Sequence, residues 1–215
     1  MHLATITLPV GAQWGAVLFA YLLGAVPFGF LFARLRGVDL RQVGSGNIGA
    51  TNTGRAIGRK LGYLAFLLDF AKGYVPALWF AGWFGAGGEP GSLAALCGAA
   101  AVAGHVWPVY LGFRGGKAVA TGCGVIVAFD PLIFVLGGAV WLITLFSVGF
   151  VSLASIAMAV AFPIVAWQVQ GESGFGGEVI TFCVAFALLV IYRHLDNIKR
   201  LAAGLEPRWR DKLKS

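Results

Sequence analysis

Charge is what this sequence has least of. Only 12% of its 215 residues are charged, while 59% are hydrophobic, and mean hydropathy is +0.83. A soluble chain of this length needs more polar surface than this composition offers. Cysteine is also scarce. Cys97, Cys123 and Cys183 stand far apart, with no CxxC pair and no Cys/His ligand spacing. They read as small packing residues, and no metal or other cofactor is expected. Met1 to Val10 has no basic stretch, and no small-residue cleavage site follows the first apolar run. A cleavable signal peptide is therefore not expected.

Apolar runs fill the space that charge leaves. Residues 13–33 form an uncharged stretch long enough to span a bilayer. Further runs cover 61–83, 93–111, 132–146, 151–168 and 179–192. Residues 118–129 add a short one, well below the roughly 20 residues of a full span. Glycine, at 32 positions, fits helices that approach closely in a membrane. The expected fold is all-α: a polytopic membrane helical bundle of seven spans, one short, in a single domain over 1–215.

The net charge of +7 raises nucleic acid as a partner, but the placement of the charges argues against it. Six of the sixteen Lys/Arg lie in 34–60, two in 112–118 and seven in 193–215, with Lys72 inside a span. The alternate loops carry only Glu89, Asp130, Glu172 and Glu178. Basic loops stay cytoplasmic, so the N-terminus is expected outside and the C-terminus inside. The polar, glycine-bearing segments then share the cytoplasmic face with the turn at 147–150. A single interfacial site assembled from four segments is expected there.

The first segment is "GSGNIGATNTGRAIGRK", residues 44–60. Its letters fit G-x-G-x-x-G, with Asp69 twenty positions further on. A dinucleotide fold needs a buried strand before the glycines, and "RGVDLRQV" is not one. The chemistry still suits phosphate. Gly44 and Gly46 expose backbone N–H groups, Ser45, Asn47, Thr51 and Asn52 add side-chain donors, and Arg55 and Arg59 add cations. An ordinary basic loop capping a helix is the alternative.

The second segment is "GFRGGKAVATG", residues 112–122. It falls one residue short of a Walker A loop, and Ala118 stands where a magnesium-binding Ser/Thr belongs. Arg114, Gly115, Gly116 and Lys117 nevertheless suit an anion, aided by a helix starting near Ala118. The alternative is a glycine-rich hinge. His105, before the helix-ending Pro108, is a base or a satisfied interior histidine.

In "RHLDNIKRLAAGLEPR", His194 and Asn197 would share a face of a helix continuing the last span. The alternative is an interfacial helix with snorkelling cations. Ser147, Ser152 and Ser155 cluster near the cytoplasmic turn, where they either pack within the helices or donate to a substrate. Asp69 and Lys72, costly in lipid, are expected to pair or to face the site.

Together, "GSGNIGATN", "GHVWPVYLGFRGGKAVAT", "VSLASI" and "RHLDNIKRLAAGLE", with "DFAKG" in the second span, resemble the bacterial acyl-phosphate:glycerol-3-phosphate acyltransferase family (PlsY). The resemblance implies a seven-span inner-membrane enzyme with its active site on the cytoplasmic side. It implies transfer of an acyl chain from acyl phosphate to the 1-hydroxyl of glycerol 3-phosphate, giving lysophosphatidic acid and phosphate. It places Ser45, Asn47, Arg55, Gly115, Gly116, Lys117, His194 and Asn197 at the site, and Glu206 at a structural position. Ala118 departs from the family's usual glycine, and Ala154 stands where a second serine can occur.

Phosphate is a good leaving group, so direct attack by the glycerol hydroxyl is expected, without an acyl-enzyme. Ser45, Arg55, Lys117, His194 and Asn197 are the expected catalytic residues. Gly44, Gly46, Asn47, Thr51, Asn52, His105, Arg114, Gly115, Gly116, Ser152 and Ser155 are expected to bind substrate. The base is either His194 or the substrate's own phosphate. Partners are the two substrates, membrane lipid and an enzyme supplying acyl phosphate. None of His2, His105 or His194 begins a His-x-x-x-x-Asp motif, which argues against a thioester donor. The competing function is a transporter of a phosphorylated solute, which needs a midplane site open to both sides.

Overall fold

Where the sequence breaks its apolar runs, the helices end. The computed structural model describes residues 10–80, 90–170 and 176–210, and every regular element among them is helical. The expected loops that carry Glu89 and Glu172 lie largely outside the described residues. The chain divides into two compact units, residues 1–129 and 130–215.

In the first unit, α1 (Val10–Ala25) and α2 (Phe28–Leu35) are separated by Val26 and Pro27, yet together span 11–35 as one apolar segment. Proline interrupts the ladder here because it has no N–H to donate. A polar excursion follows, then α3 (Ala50–Ile57) and α4 (Arg59–Val75). Gly58, at φ +104°, makes the tight turn between them. A π-helical turn at Pro76–Phe80 extends α4. Next come α5 (Pro90–Val106), a 3-10 turn at Val109–Leu111 and α6 (Val119–Phe129).

Small residues set how closely these helices approach. A Cβ on Gly73 would strike the Thr121 carbonyl, and one on Gly124 would strike the Phe70 carbonyl. α4 and α6 therefore meet backbone to backbone, the packing mode small residues permit in membranes. That crossing places Thr121 beside α4.

In the second unit, α7 (Pro131–Val148) starts on an Asp130 cap, whose side chain accepts the Leu132 N–H at 2.7 Å. Gly149, left-handed at φ +83°, ends it. α8 (Val151–Gln170) returns, and α9 (Gly176–Arg193) follows. The chain then bends by 55° into α10 (Leu195–Ala202). α7 exposes Leu132, Val135, Leu136, Leu142, Ile143 and Phe146, an apolar surface suited to lipid rather than water.

Among the described residues, five helical segments are long and apolar enough to cross a membrane: 11–35, 59–80, 92–111, 131–148 and 151–169. Counting the bent α9–α10 pair as one span gives six. At 11 residues, α6 is too short to meet that test. The three cysteines are buried thiols, none of them in a disulfide.

Candidate functional site

The first glycine motif is built around Asn52. This side chain, 2% exposed, donates through Nδ2 to the carbonyls of Leu40, Val43 and Asn47 at 3.2, 3.0 and 2.8 Å. Its Oδ1 accepts the Ser45 N–H at 3.1 Å. The amide of Asn52 therefore turns inward and folds the loop, although the sequence suggests a substrate contact. Asn47 Oδ1 accepts the Gly49 N–H at 2.9 Å, closing the turn that opens α3. Gly44 and Gly46 are left-handed, at φ +61° and +69°. Ser45 and Thr51 are exposed and Arg55 is half-buried. Beside the motif, Arg41 grips Asp39 at 2.7 Å and holds its carboxyl down at about 2.

The second glycine motif lies against the end of α5. Gly115 donates its N–H to the Val106 carbonyl at 3.1 Å, and Gly116 to the His105 carbonyl at 3.0 Å. Those two N–H groups are committed to the helix end rather than held open for an anion. A Cβ on Gly116 would strike His105 Nε2, so glycine here lets the loop lie directly on the imidazole. Lys117 is half-buried and Arg114 exposed. Ala118 is fully buried yet left-handed at φ +56°, a conformation that glycine adopts with less strain.

Beneath this loop sits a buried polar cluster. His105 is 6% exposed, with Nδ1 3.3 Å from Thr121 Oγ1 and 3.8 Å from Asp69 Oδ1. Lys72 Nζ lies 2.8 Å from Asp69 Oδ1 and donates to the Val26 carbonyl at 2.7 Å. The expected Asp69–Lys72 pairing is present. The part played by Thr121 is invisible in the sequence, because it depends on the α4–α6 crossing.

In the second unit, Glu206 gathers three donors. Oε1 accepts from Ser152 Oγ and Asn197 Nδ2, both at 2.6 Å, and Oε2 accepts from Arg200 Nε at 2.8 Å. Burial pushes this carboxyl up, but the three hydrogen bonds and the Arg200 charge outweigh it and hold it below the usual carboxylate range. Ser152 is thus engaged with Glu206. Ser155 donates to the Val151 carbonyl at 2.8 Å and accepts from Trp141 Nε1 at 3.3 Å. Both hydroxyls expected to meet substrate have intrachain partners.

The expected continuous helix through His194 is broken by the 55° bend. His194 caps α10, and Asn197 sits in its first turn. His194 is 3% exposed, with Nδ1 2.8 Å from the Val190 carbonyl. A carbonyl only accepts, so Nδ1 carries the proton. In the neutral ring the lone pair is then on Nε2, the tautomer a general base needs.

Comparisons with known proteins show the family. A family model described as "Glycerol-3-phosphate acyltransferase" matches residues 14–204. A glycerol-3-phosphate acyltransferase of Aquifex aeolicus is 44% identical over 193 residues, covering 90% of this chain and 97% of the relative. One of Geotalea daltonii is 42% identical, covering 88% and 94%. The crystal structure of PlsY (YgiH), an integral membrane glycerol 3-phosphate acyltransferase, in its glycerol 3-phosphate form superimposes with a TM-score of 0.83 at 43% identity, covering 92% of this chain and 96% of that one. Its lysophosphatidic acid form gives a TM-score of 0.81 at 41% identity, covering 92% and 95%. With helices that can cross a membrane and a match over nearly all its length, this chain belongs to the glycerol-3-phosphate acyltransferase family.

Proposed function

We propose that the protein is a membrane acyltransferase that moves a fatty acyl group from acyl phosphate to the 1-hydroxyl of sn-glycerol 3-phosphate. Family membership supports the acceptor. The donor reading rests on the two basic glycine motifs, which suit two phosphorylated ligands, and on the missing His-x-x-x-x-Asp.

The second motif, with Arg114, binds the phosphate of glycerol 3-phosphate. The first motif, through Ser45 and Arg55 and joined by Lys117, holds the acyl phosphate and stabilises the departing phosphate. The glycerol oxygen attacks the acyl carbonyl carbon. The carbon–oxygen bond to phosphate breaks, and the hydroxyl proton passes to His194 Nε2. The products are lysophosphatidic acid and inorganic phosphate. The His194–Val190 hydrogen bond is the observation that carries the base assignment, because it fixes the ring in the acceptor tautomer. Asn197 stays in place through Glu206.

The distribution of Lys and Arg supports seven spans, with α6 as a short one, the N-terminus outside, and the site on the cytoplasmic side of the bacterial inner membrane. One membrane-embedded domain carries the activity. An enzyme supplying acyl phosphate is its expected partner.

The test is to incubate purified protein with acyl phosphate and labelled glycerol 3-phosphate and to look for labelled lysophosphatidic acid. Product that forms only with acyl-CoA or acyl carrier protein would overturn the donor assignment. An acyl-enzyme trapped on Ser45 would refute direct attack.

A further inference from the structure

We propose that Asp69 and Lys72 form a positioning pair that holds the Gly115–Lys117 loop in its binding geometry, acting through His105. The proposal rests on the reading that this loop binds glycerol 3-phosphate. Both side chains lie on α4 within a membrane-spanning segment and are 2–3% exposed. An ion pair so placed is a costly way to fill space, since apolar residues of similar volume stabilise as well or better. Its contacts indicate what it does instead.

Lys72 Nζ ties the pair to the Val26 carbonyl, at the break between α1 and α2. Asp69 Oδ1 is 2.8 Å from that ammonium, and the carboxylate is buried with it. At 3.8 Å it faces His105 Nδ1, which also meets Thr121 Oγ1. The other edge of the imidazole lies under Gly116, whose N–H is fastened to the His105 carbonyl. Lys117 is the next residue along the chain. A ring that loses its carboxylate neighbour shifts, and the loop resting on it shifts with it.

The experiment uses the full-length protein and the double variant Asp69→Asn/Lys72→Gln, which removes both charges and leaves neither orphaned. Thr121→Val is the second variant. It keeps the pair and removes the other neighbour of His105 Nδ1. Three readouts are taken: thermal unfolding, KM for glycerol 3-phosphate against kcat, and the rate of tryptic cleavage after Lys117. The double variant should fold, raise KM by about tenfold with a smaller change in kcat, and be cleaved faster at Lys117. Thr121→Val should move both readouts the same way by less. A purely structural pair would lower the yield of folded enzyme and leave KM and cleavage unchanged; that result overturns the proposal. If the double variant does not fold, Thr121→Val decides, and wild-type KM and cleavage in it overturn the proposal. Faster cleavage in the double variant, with KM unchanged both there and in Arg114→Met, would uphold the positioning role and remove the loop's assignment to glycerol 3-phosphate.

Discussion

Replacing Glu206 by alanine tests how the C-terminal segment is held. The substitution removes the acceptor of three hydrogen bonds, from Ser152, Asn197 and Arg200. Ser152 and Asn197 are 5% and 6% exposed, so each is left as a buried donor without its acceptor, at about 1–3 kcal/mol apiece. The Arg200 side chain is 34% exposed and rehydrates, which limits its share. The expected loss is roughly 3–5 kcal/mol, in the range for breaking a buried charged contact. At roughly 2–4 °C per kcal/mol for a chain of this size, the midpoint falls by at least about 6 °C. The buried thiols of Cys97, Cys123 and Cys183 provide the assay, since a fluorogenic maleimide reaches them only on unfolding. Glu206→Gln should lie between wild type and alanine. Its carbonyl still accepts from Ser152 and Asn197, but its amide places a donor against Arg200 Nε. A Glu206→Ala midpoint within about 2 °C of wild type would refute the clamp. The carboxyl is held below its usual range in the fold, so its contribution is complete above the ordinary carboxylate pKa. It is lost as pH falls through the depressed folded value. The acid side of the stability profile should flatten in Glu206→Gln.

Asn52→Ala should cost roughly 2–4 kcal/mol and abolish most activity, because four bonds of the first glycine loop depend on one amide; thermal unfolding and turnover check this together. Ala118→Gly should leave the midpoint nearly unchanged, since relief of a left-handed conformation worth about 1–2 kcal/mol offsets a lost buried methyl of about 0.8 kcal/mol and the added chain entropy. Ala118→Val should yield little folded protein, because a β-branched residue is strained there and the site is full. His194→Ala should lower kcat by about a hundredfold or more with KM little changed; retention of most activity would leave the substrate's phosphate as the base.

Much of the fold is legible in the sequence because the constraint is one-dimensional. A bilayer demands apolar runs of a fixed length, and five of the expected runs appear as helices that meet it. Cross-chain contacts are not legible in this way. Ser152 and Glu206 stand 54 positions apart, and no local spacing announces their hydrogen bond. Asn52 illustrates a different difficulty. Its residue type suits a phosphate, but three nearby carbonyls claim its amide once the loop closes. Gly115 and Gly116 divide in the same way: the sequence marks a flexible, anion-suited loop, while the folded chain spends their N–H groups on the end of α5.

The sequence by itself determined the all-helical membrane class, the two phosphate-suited motifs and the family, because composition, run length and ordered motifs need no folded chain to be read. Only the tertiary structure decided which polar side chains point inward. It gave Asn52 to the first loop, His105 to the underside of the second, the lone pair of neutral His194 to Nε2, and Ser152 to Glu206. The reason is hydrogen-bond satisfaction: a buried donor takes the acceptor that the folded chain brings to it, a nearby carbonyl for Asn52 and a carboxylate 54 positions away for Ser152.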